Sequence, residues 1–120
     1  MEYTFKAQAI TRIIAILDLW PMPNRATARD INALADKLDF TNADKQAIGW
    51  QPIPNGSGYM YRPDDELVKE LEEGDVGTLR HMVENPPDRL IWTRRERELQ
   101  ASVFEPLGLE PWFTSNKEQE

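Results

Sequence analysis

Ile10, Ile13, Ile14 and Leu17 recur at the spacing of one helical face, and Trp20 continues that face by a further step. Ile16 and Leu19 widen the apolar stripe beyond what a surface helix carries, so the pattern predicts a central helix. Its start is placed near Thr4. Its end falls before Pro21, because a residue preceding proline is pushed out of the helical region. A helix that is apolar on so much of its surface has to be covered by other elements. The expected fold class is therefore mainly α.

The following segments fit that expectation. Thr27-Ala28-Arg29-Asp30 offers an N-cap acceptor with a carboxylate three residues on, and Ile31, Leu34, Ala35 and Leu38 repeat the helical spacing. Thr41-Asn42-Ala43-Asp44 is a second start signal, opening a short helix through Ile48 that Gly49 closes. Between Trp50 and Tyr61, Asn55-Gly56 marks a tight turn with aromatic flanks, which predicts a short β-hairpin with positive φ at Gly56. Asp64 is read as the cap of another helix, with Leu67, Val68 and Leu71 inward and Gly74 at its end. Val76, Leu79, Met82 and Val83 predict a further helix, stopped by Asn85-Pro86-Pro87. Leu90-Ile91-Trp92 reads as a short strand or a buried connector. Thr93 and Glu96 form the best capping box in the chain, ahead of a helix carrying Leu99, Val103 and Phe104. Leu107, Leu109, Trp112 and Phe113 are expected to pack as an irregular strap. The expectation is a compact multi-helix single domain over residues 1–113, with one short hairpin and a winged-helix-like outline. Residues 114–120 form a flexible C-terminal tail in this reading.

The chain has 120 residues and no cysteine, which removes disulfides, thiol nucleophiles and cysteine zinc sites. No apolar run approaches the roughly 20 residues that cross a bilayer, and Met1-Glu2-Tyr3 lacks the basic start of a signal peptide. Cytoplasmic residence and no membrane partner are expected. The formal charge is −7, which disfavours contact with nucleic-acid phosphates. That charge is segregated: Asp64–Asp75 holds seven acids against Lys69, whereas Arg89–Arg97 holds four arginines against Glu96.

No catalytic, cofactor or metal constellation emerges. His81 is the single histidine and is read as structural or superficial, because a catalytic role requires placed partners. Gly56 and Gly58 lack the Lys-Ser or Lys-Thr of a phosphate loop. The acids of 64–75 lack the alternating oxygens of a calcium loop and read as a solvated face or a docking surface. Arg89, Arg94, Arg95 and Arg97 are expected to pair with that acidic segment, the other reading being an external carboxylate surface. A protein interface would draw on Glu70, Glu72, Glu73, Trp112 and Phe113. The helix–break–helix outline of 27–48, with the hairpin as a wing, gives an alternative: duplex recognition, with Asn42, Lys45 and Gln46 on bases and Arg25 and Arg29 on phosphates.

From Leu17 to Trp50 the order of residues runs Leu17, the Pro21–Asn24 break, Thr27, Ile31, Leu34, Leu38, Phe40-Thr41, a short acidic helix and Trp50. This stretch resembles small uncharacterised proteins encoded by tailed bacteriophages and prophages. The resemblance implies a compact helical fold of viral origin, working in the cytoplasm of a bacterial host, and implies no activity. By elimination the expected function is a non-enzymatic accessory protein that binds another protein. In its specific form, it inhibits a host nucleic-acid-handling machine through an acidic surface. A winged-helix-like DNA-binding regulator is the alternative.

Overall fold

Along Glu2–Lys6 the side chains alternate, with Tyr3 and Phe5 turned inward and Glu2 and Thr4 left in water. That period of two builds a strand. In the computed structural model, which describes residues 1–113, strand β1 (Glu2–Lys6) runs directly into helix α1 (Ala7–Asp18). The helix start expected at Thr4 is thus corrected to Ala7. β1 pairs antiparallel with β4 (Glu66–Glu70), Thr4 lying opposite Val68 and Lys6 opposite Glu66. The helix expected from Asp64 does not form. Leu67, Lys69 and Leu71 point inward at alternate positions, and the lysine in that row conceals the strand from a hydrophobic count. Val68, expected inside, is outside and 55% exposed. Gly74, expected as a helix end, lies in the first turn of α4 (Glu73–Glu84).

The β1–β4 ladder also starts α1. No side chain caps this helix, so its first amides need other acceptors. The Ala7 N–H donates to the Asp65 carbonyl at 2.8 Å and the Gln8 N–H to the Pro63 carbonyl at 3.1 Å. The strand pairing thus hands over to helix capping without a gap.

Helix α2 (Arg25–Leu38) is capped by Asn24, whose side chain accepts from the Thr27 N–H at 2.9 Å. The cap expected at Thr27 therefore moves back to the residue that leaves the Pro21–Pro23 break in extended backbone. Helix α3 (Asn42–Ala47) carries the expected reciprocal box between Thr41 and Asp44, and Gly49 follows it at φ 71°. The hairpin is present as β2 (Gln51–Pro52) and β3 (Tyr59–Met60). Its positive φ lies at Gly58, 107°, and not at Gly56. The capping box of Thr93 and Glu96 opens a 3-10 turn that leads into α5 (Arg97–Phe104). Leu90-Ile91-Trp92 is a connector: Trp92 is buried and its indole N–H donates to the Val83 carbonyl at 2.7 Å. The described chain is mainly helical, with two small antiparallel sheets where one hairpin was expected. The tail expected at 114–120 lies outside the described residues.

α1 sits at the centre, as its apolar pattern requires. Ile10, Ile13, Ile16 and Leu17 are buried, and the helix touches α2, α4, α5 and β1. Phe5, Leu38, Leu79 and Phe104 close the core around it. No described helix is long and apolar enough to cross a membrane.

Two cations tie the layers together. Arg12 of α1 donates to both Glu96 oxygens at 2.6 and 3.3 Å and to the Leu90 carbonyl at 3.1 Å, while its guanidinium lies 4.7 Å from the centre of the Trp92 ring. Lys69 reaches under the sheet from β4, donating to Asp44 at 2.6 Å and to the Asp39 carbonyl at 2.8 Å. Burial pushes the Glu96 carboxyl up, but its bonds from Arg12 and Thr93 outweigh that and hold it below the usual carboxylate range. Asp44 is lowered in the same way: burial opposes ionisation, and Lys69 and Thr41 more than offset it.

Two outcomes are expected. Leu34 is 4% exposed on the inward face of α2, so Leu34→Ala should lower the unfolding free energy by about 2–5 kcal/mol in urea titration. A loss below roughly half a kcal/mol would mean that this face does not carry the packing. Because Glu96 and Asp44 have folded pKa values below their unfolded ones, their contribution is complete above the ordinary carboxylate range. It is lost as the pH falls through the lower folded values. Glu96→Gln should cost about 1–3 kcal/mol at pH 7 and flatten the acid limb of a stability–pH profile. A profile with the same acid limb as the parent would remove the clamp from that role.

Candidate interaction surfaces

The charge segregation seen in the sequence persists in space, but the two segments do not neutralise each other. The acids find nearer cations. Asp64 lies 3.5 Å from Lys6, Asp65 is 2.6 Å from Arg62, Glu70 is 2.7 Å from the Met1 amino group, and Asp75 is 2.7 Å from Lys37. Burial raises the Asp75 pKa, and the hydrogen bonds from Lys37 and the Glu72 N–H bring it below its ordinary value. Arg89, Arg94, Arg95 and Arg97 are all exposed and form no ion pair among the described residues. The expected pairing of these arginines with Asp64–Asp75 is therefore corrected.

Of the residues expected at an interface, Glu70, Glu72 and Glu73 lie together where β4 passes into α4, and all three are exposed. Glu72 is also the N-cap of α4, in a reciprocal box with Asp75. Trp112 and Phe113 lie on the strap that follows α5. The Trp112 N–H donates to the side-chain oxygen of buried Gln100 at 2.8 Å, and its ring meets Phe104 edge-on at 5.5 Å. The indole is fixed from behind, yet half of it, 50%, remains in water. Phe113 is half-buried against the core.

The residues expected to read a duplex are not brought together. Asn42 and Gln46 are exposed on α3, but Lys45 lies 5.4 Å from the centre of the Trp50 ring. Asp44 is occupied by Lys69. Arg25 and Arg29 open α2, whose 14 residues put about 20 Å between its start and the turn into α3. The α3–hairpin junction is instead an aromatic cluster. Trp50 stacks between Tyr59 and Tyr61 at 5.2 and 5.3 Å, with Phe40 at 5.2 Å from Trp50. The aromatic flanks of the turn were visible in the sequence, but their stacking order depends on the hairpin register. His81 is exposed and meets the Trp20 ring edge-on at 5.9 Å. Among the described residues no group of histidines and carboxylates is arranged to hold a metal ion.

A cleft of about 450 Å³ opens between β1 and α5, and sequence reasoning did not find it. Glu98, Ser102 and Glu105 line one wall, spaced so that they share one helical face. Lys6, Asp64 and Glu66 line the other. Lys6 and the Gln8 amide, 3.2 Å away, both serve Asp64. Glu66, Glu98 and Glu105 have no cation within ion-pair distance among the described residues. Each wall alone looks like ordinary surface charge in the sequence, since residues 64–66 and 98–105 are far apart.

No family model, curated protein or solved structure matches this chain.

Proposed function

We propose that this protein is a non-enzymatic accessory factor that acts by binding another protein. The supporting observation is Trp112: Gln100 holds its backbone N–H and Phe104 meets its ring edge-on, while half of the residue stays in water. Pre-ordered tryptophans make good interface anchors, because little side-chain entropy remains to be lost on binding. The arginines of 89–97, which form no ion pair among the described residues, lend weight, since arginine and tryptophan are enriched at interface centres. The phage resemblance suggests a narrower form, in which the acidic turn of Glu70, Glu72 and Glu73 occupies a host site meant for nucleic acid. Duplex recognition draws less support, because Lys45 is engaged with Trp50 and Arg25 and Arg29 stand at the far end of α2.

Affinity capture from a bacterial host, repeated with nuclease, tests this reading. A protein partner should survive nuclease treatment. Trp112→Ala removes the edge contact to Phe104 and should cost about 1–2 kcal/mol of stability, leaving a folded protein. Its capture of the partner should fall by more than about tenfold. A folded variant with undiminished capture would remove Trp112 from the interface. In a separate assay, duplex DNA at ~150 mM salt should give no sub-micromolar, sequence-selective anisotropy change. Such a change would overturn the ranking of the two readings.

A further inference from the structure

The β1–β4 sheet has two strands, so each has one side without a strand partner. The hydrogen-bonding phase says which residues face that side. The Leu71 N–H donates to the Met1 carbonyl at 3.0 Å and the Ala7 N–H to the Asp65 carbonyl at 2.8 Å, which fixes both ends of the ladder. Between them, in the observed register, Tyr3 and Phe5 form the hydrogen-bonded pairs with Lys69 and Leu67. Glu2, Thr4 and Lys6 therefore turn their backbone N–H groups away from β4. Among the described residues those N–H groups donate no hydrogen bond to the rest of the chain. An open edge of this kind is a template for another strand.

This edge borders the cleft against α5, with Thr4 and Lys6 on its wall. The same cleft carries Glu66, Glu98 and Glu105, which have no ion pair among the described residues. A strand edge facing a helix across a groove is the arrangement in which extended peptides bind by strand addition. We infer that the groove between β1 and α5 takes an extended segment of a partner protein, added as a strand to β1, with basic side chains at alternate positions. Backbone hydrogen bonds to Thr4 and its neighbours fix the segment, and the carboxylates select lysine or arginine over acidic side chains. The opposite edge, on β4, serves as the internal control. This inference rests on the protein-binding reading but not on Trp112.

The probe is a capped peptide of alternating lysine and valine, about nine residues long, titrated into the isotope-labelled full chain. Amide resonances of Thr4 and Lys6 should shift saturably and gain protection from hydrogen exchange. Thr4→Pro removes an outward N–H without touching the bonds that Tyr3 and Phe5 make, so the variant should fold and lose about tenfold in affinity. N-methylation of the peptide on its pairing edge should give a similar loss with the protein unaltered, which covers the case of a misfolded variant. Glu98→Gln with Glu105→Gln should weaken binding and its salt dependence together, whereas Val68→Pro should leave affinity unchanged. Absence of saturable shifts up to ~1 mM peptide would overturn the proposal. So would shifts centred on Val68–Glu70, or equal binding of a peptide with glutamate in place of lysine. Failure of partner capture by Trp112→Ala alongside intact peptide binding would separate the two surfaces.

Discussion

The pairing of β1 with β4 closes the chain between Lys6 and Glu66, and much of the architecture follows from it. Closing so long a loop is only modestly dearer than closing a short one, because the entropic cost grows with the logarithm of length. In return the ladder buries Phe5 and Leu67 and supplies carbonyls to the first amides of α1. Without that segment the most apolar helix of the protein would start with uncapped donors against the core. The sheet thereby fixes both where α1 begins and how it is oriented toward α2, α4 and α5.

Lys69 extends that control downward. An ammonium group taken out of water needs full compensation, and it finds it in the Asp44 carboxylate and the Asp39 carbonyl. Asp39 closes α2 and Asp44 lies in the first turn of α3, so the charge locks the α2–α3 corner to the sheet. Arg12 does the same between α1 and the connector leading to α5, with Trp92 against its guanidinium. Cations in the interior are thus spent on joining elements, and the arginines of 89–97 remain outside. The surface that results is bipolar, with exposed arginines around the start of α5 and carboxylates in the cleft along the rest of it.

This division leaves the two signs of charge on separate parts of the surface. A net charge of −7 repels polyanions at long range, while local arginines still allow close pairing with a carboxylate surface. The half-exposed Trp112 adds apolar area, its ring set edge-on against Phe104. The groove beside β1 adds the outward-facing backbone N–H groups of the strand and the carboxylates of α5.

The sequence by itself determined the elements whose signals are local. The periodic faces of α1, α2 and α4 and the capping boxes of Thr41 and Thr93 follow from interactions only a few residues apart. So do the hairpin at 50–61 and the left-handed Gly49. Tertiary structure decided what depends on distant partners. Glu66–Glu70 became a strand because β1 was available to pair with it, and its inward lysine reads as surface until Asp44 is seen beneath it. The ion-pair partners, the aromatic stacking around Trp50 and the cleft between β1 and α5 share that origin. Each joins residues that no periodic pattern connects, and a charge or a strand edge takes its meaning from what the fold sets against it.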